Sequence, residues 1–163
     1  MDKIVVIKHV LMEQLIMVDA ARRASAKRIT VVCPAYGYGR QDRKASGREP
    51  ITAKLVANLF KEAGASRLVS VDLHSGQTQG FFDGPVDHLT AMPVLVERLS
   101  SLNGDLTIVS PDAGRVKVAE RYAMTLGAEL AIVHKRRSHS SFNTVEAREV
   151  VGDVDGRVCI LVD

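Results

Sequence analysis

The side chains able to do chemistry fall just after short apolar runs. SVDLH carries Asp72 and His74, IVSPD carries Asp112, AIVHK ends on Lys135 with Arg136 and Arg137 behind it, and ILVD ends on Asp163. Carboxylates and cations delivered to one edge suit a metal-bound polyphosphate. The divalent ion takes oxygen ligands, while phosphate oxygens take Lys, Arg or backbone N–H groups. Phosphoryl-type transfer is therefore favoured over acyl transfer. The loop AYGYGRQDRKASGREP adds Arg40, Arg43, Lys44 and Arg48 among small residues, so it can wrap an anion.

Each of these residues also has a plainer reading. A strand-terminal aspartate often caps the following helix, and Asp112 stands before AGRVKVAERY in that position. His74 in HSGQTQG can satisfy local backbone groups, and imidazole alone would suggest zinc or manganese before magnesium. A short basic run such as Lys135 to Arg137 is commonly a solvated turn. The chain has no G-x-x-x-x-G-K-[ST] loop and no G-x-G-x-x-G after a strand, so a phosphate site must be built otherwise. It also lacks G-x-S-x-G, which sets serine hydrolase chemistry aside.

Elements that would position these groups alternate along the chain. KIVVI at 3–7 reads as a strand, and the following run to Ser25 as a helix with Leu11, Leu15, Met17 and Val18 at helical spacing. Strand RITVVC at 28–33 comes next. A helix opened by Glu49 and Pro50 and closed by Gly64 should bury Ile51, Leu55, Val56, Leu59 and Phe60. Strand RLVSVD at 67–72 leads into a Gly-rich polar loop reaching Pro85, then a helix over 93–102 and strand DLTIVS at 105–110. After Pro111 a helix runs to Gly127 with Val116, Ala119, Tyr122, Ala123 and Leu126 inward. Strand ELAIVHK, a polar segment at 136–147 and two β-rich runs complete the pattern. This alternation predicts an α/β fold in three layers, a mostly parallel sheet flanked by helices, with ligands at the strand carboxyl ends. The polar loop 73–91 joins two lobes, with a boundary expected near residue 87: 1–87 and 88–163.

Composition agrees. The chain has 163 residues, 46% of them hydrophobic and 25% charged, which excludes disorder, collagen and a disulfide scaffold. Cys33 and Cys159 sit in apolar runs outside any metal spacing and read as buried free thiols of a reducing compartment. The opening segment is broken by Asp2, Lys3, Lys8, His9 and Glu13, which points to a cytoplasmic protein with no membrane span. With 22 Lys and Arg against 19 Asp and Glu, and only 4% aromatic residues, no nucleic-acid stacking platform is expected.

Four longer motifs make the reading specific. DLHSGQTQGFFDGPVD (72–87) resembles the signature of the ribose-phosphate diphosphokinases. YGRQDRKASGREPI (38–51) resembles their ATP loop, SPDAGRVKVAERYA (110–123) their next motif, and HKRRS (134–138) their catalytic loop, all in family order. The resemblance implies two phosphoribosyltransferase-like lobes, the first largely present and the second incomplete. It also implies transfer of the diphosphate of ATP to the 1-hydroxyl of ribose 5-phosphate, with magnesium and in a homo-oligomer. By the same resemblance Arg40, Gln41 and His74 would contact ATP, and His74 and Asp112 would hold the metal, with Asp72, Asp83 and Asp87 as further acidic positions. Lys135 and Arg137 would act with His74 in catalysis by stabilising the transition state, and Asp163 and Arg137 would meet ribose 5-phosphate.

Chains of that family are much longer than this one, and the turn expected to hold the 5-phosphate would follow Asp163. Both ends therefore read as shortened, and the isolated chain is expected to turn over weakly or not at all. Two other readings stay open: a non-catalytic nucleotide-binding or regulatory relative that assembles with full-length subunits, and a shortened product without function of its own.

Overall fold

The computed structural model describes residues 3–137 and 145–163, with side chains placed over 6–134 and 149–163. The chain divides into two compact units, the first ending at Ala91 and the second running from Met92 to Asp163. The boundary expected near residue 87 falls inside a strand, β3 (Val86–Leu89). Its hydrogen bonds to the preceding strand tie it to the first unit.

The first unit contains α1 (Lys3–Arg23), β1 (Thr30–Val32), α2 (Thr52–Ala63), β2 (Arg67–Val71), a 3-10 turn at Gly76–Phe81, and β3. Its three strands are parallel in the order β1-β2-β3, with Val31 opposite Leu68 and Val69 opposite Asp87. KIVVI does not form a strand. No Gly or Pro interrupts the run from Lys3 to Arg23, so the helix continues back through these β-branched residues, whose intrinsic preference is weak against context.

α2 buries Ala53, Val56, Ala57 and Phe60, an i, i+3, i+4, i+7 stripe, while Leu55 and Leu59 face outward one step of 100° around the helix. The stripe meets Val18 of α1, Val31, Leu68 and Phe82 in one core, and Val32 on the opposite sheet face is exposed. Gly64 ends α2 at φ 122°, where a Cβ would lie 2.7 Å from Arg22 Cδ of α1. Both the left-handed backbone and the close helix approach require glycine there.

The second unit contains α3 (Met92–Leu99), β4 (Leu106–Ser110), α4 (Val116–Leu126), β5 (Glu129–Arg137), β6 (Val145–Val151) and β7 (Val158–Leu161). Its strand order is β6-β5-β4-β7, with β4 parallel to both neighbours and β6 antiparallel to β5. Ile108, Ala119, Tyr122 and Ala123 form its core, with Val96, Leu99 and Ile160 packed around them. Cys33 is buried as expected, but Cys159 is exposed because β7 is an edge strand. Mostly parallel sheets flanked by helices are thus the architecture of both units. Among the described residues no helix is long and apolar enough to cross a membrane.

The register of α2 makes a direct prediction. Phe60→Ala, at a fully buried site, is expected to cost about 3–5 kcal/mol, and Leu59→Ala about 1 kcal/mol or less. Denaturant unfolding of both variants checks this; equal losses would mean the helix is rotated.

Candidate functional site

In the first unit, strand pairing continues past the strands themselves. Cys33 N donates to Val69 O at 2.8 Å and Val71 N to Pro34 O at 3.2 Å. The loops after β1 and β2 therefore leave the same carboxyl edge at the same level. Successive turns then tighten the first loop, with Gly39 N donating to Tyr36 O at 3.2 Å and Gln41 N to Tyr38 O at 2.9 Å. Two bonds tie it to the start of α2: Tyr36 Oη donates to Ala53 O at 3.0 Å, and Ala53 N donates to Gln41 O at 3.1 Å. Burial pushes the Tyr36 phenol well up from its usual range.

The two loops touch. A side chain at Gly39 would start 3.2 Å from the Tyr36 carbonyl oxygen and 3.7 Å from His74 Cβ, so the backbone just before Arg40 lies against His74. Arg40, Gln41 and His74 are exposed, while Asp42 is buried at 8% exposure. Asp42 Oδ2 accepts a hydrogen bond from Ser75 Oγ at 2.6 Å and another from Gln77 Nε2 at 3.0 Å. The Ser75 hydroxyl above all holds the Asp42 carboxyl below its usual value, with smaller help from the backbone, Gln77 and the nearby His74. Farther along, Glu49 accepts from Ala45 N, Ser46 N and Ser46 Oγ and folds residues 45–49 into a turn.

The other acidic residues of the 72–87 signature are used differently. Asp72 has a left-handed backbone (φ 45°), and its Oδ2 accepts from Ala91 N at 3.1 Å. Asp83 accepts at its carbonyl from Lys61 Nζ and holds its carboxylate 3.9 Å from the same amine. Asp87 pairs with Arg67 at 2.7 Å. Lys61 and Arg67 flank the start of β2, whereas His74 emerges past its end. The structure thus keeps Asp83 at the opposite end of the sheet from His74, and Asp87 inside β3, opposite Val69 and turned to Arg67.

In the second unit, Asp112 follows β4. Its Oδ1 accepts from Gly114 N at 2.9 Å and its carbonyl from Ser110 Oγ at 2.8 Å, which forms a turn before α4 rather than the helix cap itself. Pairing of Val109 with Leu161 brings Asp163 to this edge, where Arg115 Nε lies 3.5 Å from Asp163 Oδ1. β5 runs past the same edge. A register shift between His134 and Lys135 places His134 opposite Glu149 and Lys135 opposite Ala147. The side chains of Lys135 and Arg137 lie outside those described. Among the described residues no three His, Cys, Asp or Glu side chains gather as a metal cage.

Comparison with known proteins decides the family. A family model described as the N-terminal domain of ribose phosphate pyrophosphokinase matches residues 5–64. The ribose-phosphate pyrophosphokinase of Streptomyces coelicolor is 61% identical over 154 residues, 93% of this chain and 48% of that protein. That of Corynebacterium glutamicum is 60% identical over 156 residues, again 48% of its own length. A crystal structure of phosphoribosylpyrophosphate synthetase from Mycobacterium smegmatis superposes with a TM-score of 0.82 at 56% identity, covering 94% of this chain and 49% of that one. The chain belongs to the ribose-phosphate pyrophosphokinase family. It spans about half the length of the curated relatives it matches.

Two residues at the candidate site carried no signal of their own in the sequence of this family member. Asp42 looks like one solvated acid in a basic loop, and Arg115 like a helix-flanking surface cation. A polar hydroxyl and amide at Ser75 and Gln77 were the available hint that something nearby needed donors.

The depressed Asp42 carboxyl sets a pH dependence. Its stabilisation is present above the unfolded carboxylate value of about 3.9 and is lost as pH falls through the lower folded value. Thermal melts of the wild type and Asp42→Asn should therefore differ at neutral pH and converge below about pH 4. A gap that stays constant on acidification would contradict this.

Proposed function

We propose that this chain carries the chemistry of ribose-phosphate pyrophosphokinase, moving the diphosphate of ATP to the 1-hydroxyl of ribose 5-phosphate. The carrying observation is the contact of the Arg40 and Gln41 loop with His74 at one carboxyl edge. Arg40, Gln41 and His74 would hold the triphosphate. Asp163 and Arg137 would meet ribose 5-phosphate. The sugar oxygen attacks the β-phosphorus in line, the bond from that phosphorus to the α-phosphate oxygen breaks, and AMP leaves as the hydroxyl proton is released. Lys135 and Arg137 would take up the charge that develops on the phosphoryl oxygens.

The donor set fits magnesium that arrives with ATP. Such an ion needs only one or two protein ligands beside phosphate and water oxygens. Asp83 and Asp87 already pair with Lys61 and Arg67; His74 in the first unit and Asp112 in the second are the residues that the family resemblance would give it. When bound, the metal supplies neutralisation of phosphate charge. A homo-oligomer is part of the same reading, since Met12, Ile16 and Met17 stand exposed along α1 and an assembly would cover them. The free thiols of Cys33 and Cys159 suit the cytoplasm.

The test is a coupled assay of AMP release by the 163-residue chain with ATP, magnesium and ribose 5-phosphate, run beside His74→Ala. Any release by the isolated chain is expected to be weak, to need all three components and to be lost in the variant. Release indifferent to ribose 5-phosphate or to His74→Ala would overturn the reading. ATP binding without turnover would instead favour a non-catalytic relative working with full-length subunits.

A further inference from the structure

We propose that Asp42 is the positioning residue that sets Arg40 and Gln41 against His74, an inference that rests on the nucleotide-binding role proposed above. Asp42 lies among exposed cations, Arg40, Arg43, Lys44 and Arg48, yet among the described residues it forms no ion pair with any of them. Its carboxylate turns inward to 8% exposure and spends its acceptor capacity on Ser75 and Gln77, both in the loop that carries His74. Burying a charge beside available surface partners is costly unless its new hydrogen bonds are good, and charge-assisted bonds to a carboxylate are the strong kind.

The placement brackets the candidate ligands. On one side the Gln41 carbonyl is fixed to Ala53 N at the start of α2, and on the other Asp42 is fixed to the His74 loop. Arg40 lies between the Gly39 turn, whose backbone is against His74, and these two ties, the first of which is on Gln41 itself. The inward turn also keeps the Asp42 charge away from an incoming polyphosphate. A loop ordered beforehand loses less freedom on binding, so Asp42 aids the nucleotide without touching it.

The experiment uses the 163-residue chain and its Asp42→Ala, Asp42→Asn, Ser75→Ala and Asp42→Ala/Ser75→Ala variants. Calorimetric titration with magnesium–ATP is paired with mass-spectrometric timing of tryptic cleavage after Arg40 and Arg43. Asp42→Ala is expected to raise the ATP Kd about tenfold or more and to speed cleavage at both sites. Asp42→Asn, whose amide oxygen in the place of Oδ2 still accepts from both Ser75 and Gln77, should stay within about threefold of wild type. Ser75→Ala should weaken binding and add nothing on top of Asp42→Ala.

Unchanged cleavage and unchanged Kd in Asp42→Ala would overturn the proposal, as would fully additive effects of the two substitutions. If the wild type binds no ATP, the nucleotide reading fails by itself, and the cleavage rates still decide whether Asp42 holds the two loops together. Should Asp42→Ala fail to fold, Ser75→Ala combined with Gln77→Ala removes the same two bonds and carries the same expectation.

Discussion

Parallel pairing of β1 with β2 is the constraint on which the candidate site depends. A parallel pair places both carboxyl ends on one edge, and the bonds from Cys33 to Val69 and from Val71 to Pro34 carry the register into the loops. A shift of one residue would turn Leu68 outward and Val69 into the core, and would move His74 relative to Gly39. The core under the sheet, centred on Phe60 and Leu68, therefore fixes more than stability. It sets the level at which two otherwise independent loops meet.

Charge is arranged around that edge with an economy that suits an anionic ligand. Acidic side chains near it are occupied by local donors: Asp42 by Ser75 and Gln77, and Asp72 by Ala91. Asp83 and Asp87 bind cations at the far end of β2, and Asp163 lies near Arg115 in the second unit. Exposed arginines of the 36–50 loop are left facing water. Each carboxylate engaged by a neutral N–H or O–H keeps its charge while presenting less of it to solvent, which lowers its repulsion of phosphate.

Much of this was legible in the residues. Glu49 and Pro50 before α2 and Gly64 after it marked that helix, and the apolar runs at β2, β4 and β5 marked their strands, because local preference and tertiary burial agree there. KIVVI was misleading because β-branched residues carry strand preference only where a neighbour pairs with them. Leu55 and Leu59 were drawn inward by hydrophobicity alone, although helical geometry allows the inward stripe to hold only some of the apolar residues of α2. The two acids Asp83 and Asp87 matched a family signature, yet a linear motif does not tell which end of a strand a side chain serves. Asp42 was hidden for the opposite reason, since its partners lie in another loop and no local pattern announces them.

The strand order of the second unit governs how it comes into being. β4 is central, but one of its two neighbours, β7, is made only after the β5–β6 pair. During synthesis on a ribosome one flank of β4 must wait unpaired until β7 emerges, so that pairing forms after the one with β5. The first unit has no such delay: β1, β2 and β3 line up in the order they are translated, and each can dock as it appears. The loops around Arg40 and His74 thus belong to the part of the molecule that can be in place while the rest is still growing.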